Sequence, residues 1–439
     1  MKRFCIVCVV GVLALTRVHA AEQSLTLQAQ QLARDATAAA EAKDYPKYLE
    51  KMSAAVALRP DYPRLLVNLA AAQALNDQPE EAVATLERLA AFGVNSPVEK
   101  NAAFAAMRDR KDFKEVVKKL AANLQNVIGE GEIAFPLPEV TGLIEGIAWR
   151  EKTGDFFFGD VHNRVVWLRT PDKKVRKFSA EEATFGIFGL AVDEAGGALW
   201  AATSAVPAMR GYTDELNGAA GLAEFDLESG ALRRVVRVPP LNDQQTHVLG
   251  DLTLAPDGTI YLPDSGASVL WRLAPGGKAL EMAVESPEFM SLQGVVAAPE
   301  GGTLLLSDYA NGVLRVDLSS RAVRRLESPP DTTLIGLDGL VRAPNGDLLG
   351  IQNGLRPKRV VRIVLDGTGE AVTSVTVLES AHLNMPDPTL GCIGPDGNLF
   401  FVGSAGWSRF EGAEVTATAP RPVPIFRTKL AVEPPKKKK

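Results

Sequence analysis

Residues 252–262 read Leu-Thr-Leu-Ala-Pro-Asp-Gly-Thr-Ile-Tyr-Leu, an apolar strand, an Asp-Gly turn and a second apolar strand. This order is typical of a β-hairpin. The pattern recurs through the second half of the chain, with turn glycines spaced by 42, 62, 43, 45 and 51 residues. Six units with a period mostly in the forties predict a six-bladed β-propeller. The turn glycines are Gly154, Gly196, Gly258, Gly301, Gly346 and Gly397.

An insertion around Pro207 to Asn217 explains the long second interval. A β-sandwich is the alternative, but sandwiches do not usually repeat one hairpin six times. A second hairpin follows within several units, as at Asn311-Gly312, so we expect four strands per blade. A further strand pattern from Gly131 to Val140 precedes the first blade. We predict that it closes the ring by pairing with the C-terminal blade.

The first half of the chain has a helical composition. From Leu25 to about Asn123 it is rich in Ala, Leu, Glu, Gln and Lys, which are good helix formers. Apolar positions recur at a spacing of 34 residues and resemble those of the tetratricopeptide pattern, with about three helix-pair units. The corresponding pairs are Tyr48 and Met52, Ala82 and Leu86, and Val116 and Leu120. The repeats either bind a protein partner or only pack together and against the next domain.

The N-terminus has the pattern of a secretory signal. Lys2 and Arg3 precede an apolar run from Phe4 to Leu15, and Val18-His19-Ala20 gives a small-x-small cleavage site. A retained anchor is the alternative, but twelve apolar residues are too few to span a bilayer, which takes about twenty. The expected location is therefore secreted or periplasmic.

The segments so defined give four regions. They are a signal peptide at 1–20, helical tetratricopeptide-like repeats at 21–125, a six-bladed propeller at 126–430 and a Lys-rich tail at 431–439. Cleavage would leave Cys392 as the one cysteine of the chain, so no intrachain disulfide is expected. The formal charge of −5 argues against a nucleic-acid partner, and no membrane span is predicted.

The repeat also predicts which residues meet at the centre. The start of each innermost strand of a propeller points into the central channel, so the residue eight places before each turn glycine belongs to one ring. In blades two to six these residues are Phe188, Gly250, Gln293, Asp338 and Thr389, and the first blade contributes Glu145. Two carboxylates and an amide suit a hard cation such as Ca²⁺. The alternative is that these side chains are only hydrated.

Four blade starts resemble those of the senescence marker protein/gluconolactonase family, a six-bladed family related to strictosidine synthase-like propellers. They are Glu145-Gly146-x-x-Trp149, Gly250-Asp251, Gln293-Gly294 and Asp338-Gly339. The resemblance implies that Glu145, Gln293 and Asp338 hold a divalent cation, with Asp338 as ligand or general base. Gln293 stands where the family has an asparagine, and Gly250 replaces another asparagine that contacts substrate.

Two functions are therefore expected. The first is a metal-dependent hydrolase of lactones or esters that takes a small lactone, ester or sugar-like ligand. Its substrate-binding residues would be Phe188, Thr389 and His247, the last at the pocket mouth. The second is a non-catalytic binding or scaffold protein that uses the propeller mouth and the helical repeats.

Overall fold

A computed structural model describes residues 24–138, 142–180, 184–241, 245–416 and 422–430. The predicted signal peptide at 1–20 and the Lys-rich tail at 431–439 lie outside the described residues, so secretion or export to the periplasm stays a prediction. Within the described ranges, no helix has the length and apolarity needed to cross a bilayer.

The first part of the chain is helical, as the composition predicts. The Ser24 hydroxyl caps the first helix and the Asp44 carboxylate caps the second, each accepting from a backbone N–H of the first turn. Proline lies in the first turn of the second, third and fourth helices, where its missing N–H costs nothing. The helices are α1 (Leu25–Glu41), α2 (Tyr45–Leu58), α3 (Pro63–Leu75), α4 (Pro79–Ala91) and α5 (Lys111–Gln125).

Helices α1 and α2 form one packed pair and α3 and α4 a second. The third predicted unit differs, because 3₁₀ turns at Val98–Lys100 and Ala102–Met107 stand where its first helix was expected. The apolar positions spaced by 34 residues are all buried in one core. Assignment to the tetratricopeptide family stays a prediction.

The second part is a six-bladed propeller, as the repeat predicts. Each blade is a four-stranded antiparallel sheet. Blades one to three contain β2 (Ile144–Arg150), β3 (Asp155–Asp160), β4 (Val165–Arg169), β5 (Val175–Lys177), β6 (Gly186–Asp193), β7 (Ala198–Ser204), β8 (Ala220–Asp226), β9 (Leu232–Arg237), β10 (Thr253–Leu254), β11 (Ile260–Asp264), β12 (Val269–Leu273) and β13 (Glu281–Glu285). Blades four and five contain β14 (Leu292–Ala297), β15 (Thr303–Asp308), β16 (Gly312–Asp317), β17 (Val323–Leu326), β18 (Leu340–Arg342), β19 (Leu348–Gln352), β20 (Arg359–Leu365) and β21 (Val372–Ser380).

The sixth blade closes the ring. It contains β22 (Gly391–Ile393), β23 (Leu399–Val402) and β26 (Val423–Thr428), and its outer strand is β1 (Glu132–Leu137). The β1–β26 register runs from Glu132 opposite Arg427 to Leu137 opposite Val423, which confirms the predicted closure. A short hairpin of β24 (Phe410–Glu411) and β25 (Glu414–Val415) lies between β23 and β26.

The predicted turn glycines are correct in five blades, where they have positive φ angles, for example 82° at Gly258 and 93° at Gly346. This left-handed backbone suits glycine because it has no Cβ. In the second blade the prediction was off by one residue, since Gly197 has the positive φ of 59°.

Three second strands end in an aspartate that organises the following loop. The buried Asp264 carboxylate accepts from the backbone N–H groups of Val248 and Gly266, both at 3.0 Å, and from Trp271 Nε1 at 3.0 Å. Asp160 and Asp308 accept equivalent backbone bonds in their own blades. These carboxylates satisfy loop N–H groups and are structural.

The helical part packs directly on the propeller. Arg59, buried after α2, reaches Asn311 Oδ1 at 2.9 Å in blade four. Arg359 Nη1 donates to the carbonyl of Phe92 at 2.7 Å, and the Asn95 N–H donates to the carbonyl of Arg356 at 2.7 Å. The helices therefore lie on the loops that follow β15 and β19.

Candidate metal centre

A cavity of about 480 Å³ opens at the centre of the propeller. The five residues that the counting rule selected line it, as does Glu145 of the first blade, where the longer turn puts the ring residue one place earlier, so the predicted ring exists. The six ring residues are Glu145, Phe188, Gly250, Gln293, Asp338 and Thr389. Their roles in binding and catalysis stay predictions.

Local backbone geometry explains why four of the six ring residues are followed by glycine. In blades one, two and four the register of the innermost strand shifts at the ring residue, which is a β-bulge that re-aims a side chain. A Cβ on Gly146 would lie 2.0 Å from the carbonyl oxygen of Phe188, and one on Gly294 would lie 2.9 Å from that of Asp338. Neighbouring blades therefore approach each other too closely for any side chain at these positions.

Glu145 is buried and held by two neighbours. Trp407 Nε1 donates to its carboxylate, and the Thr389 hydroxyl donates to its backbone carbonyl at 3.1 Å. Burial raises the pKa of Glu145 well above its usual value, and the charges of Asp338 and Asp387 raise it further. The Trp407 bond opposes this only in part. Glu145 is therefore a carboxyl group poised to keep a proton unless a cation is nearby.

Asp338 is the second acid of the pair, and its orientation is fixed from outside the ring. Asn353 Nδ2 donates to the Asp338 carboxylate and also to the Pro388 carbonyl at 2.8 Å. The Tyr309 hydroxyl in turn donates to Asn353 Oδ1. Burial raises the pKa of Asp338 to about 7, against the lowering effect of the Asn353 bond.

Two more charged groups line the cavity. Lys358 Nζ donates to the Asn353 carbonyl, and burial lowers the pKa of this lysine although the charge of Asp387 opposes the effect. The Asp387 carboxylate accepts from the Trp407 backbone N–H at 3.2 Å. The cavity thus brings three carboxylates and one ammonium group together.

A fourth acid, Asp251, lies outside the lining of the central cavity. Asp251 lines a separate cavity of about 260 Å³ and accepts from the Val295 N–H at 3.2 Å. Burial raises the pKa of Asp251 to about 7, and the charge of Asp338 adds to the rise.

The cavity offers few protein oxygen atoms that could bind a hard divalent cation, and these atoms are of the right chemical type. Glu145 and Asp338 repel each other when both are ionised, and a cation would remove that repulsion. Within the described ranges, no three His, Cys, Asp or Glu side chains form a metal-ligating cluster. The ligands would therefore be two carboxylates, the amide oxygen of Gln293 and water, which is an oxygen-only set of the kind Ca²⁺ accepts.

Two of the three predicted substrate contacts line the cavity, and the third does not. Phe188 and Thr389 line the cavity, and Phe188 lies beside the Trp407 ring with 6.4 Å between ring centroids. His247 does not line it, contrary to the prediction for the pocket mouth, and the lining there comes from Val248. The physical reason is the Asp264 carboxylate, which holds His247 Nδ1 at 2.7 Å inside blade three.

The counting rule missed six polar or aromatic residues of the cavity. A second rule finds three of them, because the residue one place after the second strand faces the mouth in blades three to five. These three are Ser265, Tyr309 and Asn353. The other missed residues are Lys358, Asp387 and Trp407, which lie in loops of irregular length.

No family model matches this chain, and no curated protein matches it. Solved structures similar to it include a luciferin-regenerating enzyme, with 16% identity, coverage of 70% of this chain and 96% of that chain, and a TM-score of 0.47. A calcium-binding protein, regucalcin, from Agrobacterium tumefaciens has 16% identity, coverage of 67% and 92%, and a TM-score of 0.46. A putative gluconolactonase has 16% identity, coverage of 69% and 98%, and a TM-score of 0.45. At these scores the similarities carry no argument about activity.

The raised pKa values predict that the cation-free protein loses stability as the pH rises. Asp251 and Asp338 ionise near pH 4 when unfolded but near pH 7 when folded, so the folded state holds the extra protons between these values. The stability they contribute is complete below about pH 4 and is lost as the pH rises through 7. Chemical denaturation in a chelator should show a loss of at most about 1.4 kcal/mol per pH unit for each group between these two pH values.

Added divalent cation should flatten this dependence, because it replaces the protons between Glu145 and Asp338. An Asp338→Asn variant should show a weaker dependence in chelator than the natural protein. A cation-free protein whose stability is constant or rises from pH 5 to 8, relative to that variant, would contradict the assignment of buried raised-pKa acids.

Proposed function

We propose that this chain is a divalent-cation-dependent hydrolase of a lactone or carboxylic ester and that the reaction takes place in the central cavity. The observation that carries the proposal is the pair Glu145 and Asp338 in the central cavity, in which charge on Asp338 raises the pKa of Glu145. Two acids held together without a compensating ion are costly, and such sites concentrate at functional positions. The resemblance of the blade starts points to the same chemistry.

The residues of the chain would divide the work as follows. Glu145 and Asp338 would hold the cation, and Gln293 would complete the protein ligands. When bound, the cation would polarise the carbonyl and lower the pKa of the attacking water. Asp338 has a second role, since a carboxylate whose pKa lies near neutrality can accept the proton of that water at Oδ.

The surrounding groups would position these two acids. Asn353 fixes the Asp338 carboxylate, and Tyr309 fixes Asn353. Burial raises the pKa of Tyr309 well above its usual value, so the hydroxyl stays a neutral donor at any physiological pH. Phe188 and Trp407 supply apolar surface that would contact the organic part of the substrate.

The second candidate is a non-catalytic binding protein. It is favoured by one specific observation, the small donor set: Asp387 also lines the cavity, but within the described part of the chain no three His, Cys, Asp or Glu side chains are placed to hold a metal ion together. Such a site would take a ligand into the cavity without turnover, and the helical repeats would hold a protein partner.

One experiment separates the two candidates. The purified protein is stripped with chelator, its ion content is measured by mass spectrometry, and a panel of γ- and δ-lactones and aryl esters is assayed with and without Ca²⁺, Mn²⁺ or Zn²⁺. The hydrolase reading expects turnover that chelator removes and one of these ions restores. Ligand binding with no turnover under any ion would favour the binding protein. Absence of cation uptake would end the hydrolase proposal.

A further inference from the structure

A third cavity, of about 640 Å³, lies between the helical part and the propeller, and we name it the interface cleft. One wall comes from α3 and from residues 94–96 after α4. The other comes from the loops that follow β15 and β19. Tyr309, Gly354 and Lys358 line both this cleft and the central cavity. The two spaces therefore adjoin across these three residues.

The interface cleft is basic. Arg64 lies on the helical wall, Arg356 and Lys358 lie on the propeller wall, and the lining contains no Asp or Glu. The whole chain has a formal charge of −5, so this local excess of positive charge runs against its overall balance. Packing the helices on the propeller therefore brings three positive side chains to one cleft, a charge distribution that attracts an anion.

The two arginines are available for such an anion. Neither Arg64 nor Arg356 has an ion pair or side-chain hydrogen bond to another residue in the part of the chain that the structure describes. Neighbouring arginines are engaged: Arg325 bonds Asp61 at 3.3 Å, and Arg359 bonds the Phe92 carbonyl. The free guanidinium groups thus lie in the cleft, while the bound ones build the interface.

Charge reverses where the cleft meets the central cavity. Glu145, Asp338 and Asp387 lie on the cavity side, and the arginines lie on the other side with Lys358 at the boundary. A ligand with a neutral electrophilic end and an anionic end would match both sides. Tyr62, Val67 and Leu355 add apolar surface along the cleft for the part between the two ends.

We propose that the interface cleft binds the carboxylate or phosphate group of a small molecule whose neutral ester or lactone end occupies the central cavity. The assignment of the reacting end rests on the proposed function. Binding of the oxyanion rests on the charge and shape of the cleft alone. The helical part would then contribute directly to substrate recognition.

The test uses the full-length protein and three probes of similar size, phenyl phosphate, benzoate and neutral benzamide, titrated by calorimetry at low salt. At least one of the two anions should bind more tightly than benzamide. The ratio of the dissociation constants of phenyl phosphate and benzoate then tells whether the cleft prefers a phosphate or a carboxylate. Arg64→Gln together with Arg356→Gln should weaken the preferred anion by about tenfold or more, since a hydrogen bond to a charged group contributes about 1.5–3 kcal/mol. The same variant should leave benzamide unchanged.

A matched control removes equal charge elsewhere. Arg108 and Arg176 are exposed and lie outside the cleft lining. Arg108→Gln together with Arg176→Gln should retain anion binding. If this control weakens the anions as much as the cleft variant does, or if benzamide binds as tightly as both anions, the inference is wrong.

The test of anion binding in the cleft can succeed or fail independently of the test for hydrolysis. Anion binding that persists in Glu145→Gln supports the cleft even if no hydrolysis is found. Hydrolysis of a neutral aryl ester without any anion binding overturns the cleft and leaves the hydrolase intact. With a carboxylated aryl ester, the Arg64 and Arg356 variant should raise KM while kcat stays the same, because it removes binding remote from the reacting bond.

Discussion

Asp338→Asn is expected to abolish uptake of the divalent cation and to lower hydrolysis by about 10²–10⁴-fold, the usual contribution of a positioned acid or base. Asparagine has nearly the same shape as aspartate and still accepts the bond that Asn353 Nδ2 donates to this side chain. It cannot supply the charge or accept the proton of a water. The measurements are ion content by mass spectrometry and kcat/KM on the best ester of the panel.

Stability should change in the opposite direction to activity. Removing Asp338 takes away the charge that raises the pKa of Glu145, so the cation-free variant should unfold at higher denaturant concentration than the natural protein at pH 8. A gain of stability with a loss of activity excludes misfolding as the cause. Sites held under such repulsion commonly gain stability when function is removed.

Asp251→Asn is the matched control. It removes a carboxylate of raised pKa that does not line the central cavity. Cation uptake and turnover should both survive. If Asp338→Asn keeps its cation and its rate, or if Asp251→Asn loses both, the metal site does not lie where the Glu145 and Asp338 pair places it.

The repeat made the architecture and the ring predictable. Each propeller blade repeats the same hairpin turn, so the turn glycines Gly301 and Gly346 located Gln293 and Asp338 by counting. The closing strand β1 was predictable for a different reason. The last blade would otherwise have an unpaired edge, and the strand pattern before the first blade supplies the strand that pairs with it.

The other residues of the site could not be predicted by counting from the turn glycines. Trp407 and Asp387 come from connections of irregular length, where no period fixes the position of a side chain. His247 was assigned wrongly because its sequence position gives no sign of Asp264, which binds it from 17 residues farther along the chain. Packing between helices and propeller also depends on long-range contacts, and these created the interface cleft.

Of the substitutions proposed for this protein, Asp61→Ala is expected to lower the free energy of unfolding most. The Asp61 carboxylate lies between two guanidinium groups, with Arg59 Nε at 3.0 Å and Arg325 Nη1 at 3.3 Å. The three side chains are 8%, 0% and 11% exposed, respectively. Burial raises the pKa of Asp61, but the charge and hydrogen bond of Arg59 outweigh this and hold the pKa below its usual value. The triad therefore joins the helical part to blade four as a buried ion cluster.

Removing one partner of a buried ion pair costs about 3–5 kcal/mol because an uncompensated charge stays inside. Urea unfolding should show this loss for Asp61→Ala, whereas the exposed pair of Glu80 with Arg110 offers a control in which Glu80→Ala changes little. Adding Arg59→Met to Asp61→Ala should recover part of the loss, since the stranded charge is removed. An Asp61→Ala protein as stable as the Glu80→Ala control would show that the cluster does not hold the interface. Arg64 follows Asp61 by three residues, so loss of the Asp61 contacts should also weaken anion binding in the interface cleft. The packing of the helical part on blade four and the recognition of the anion would then depend on the same residues.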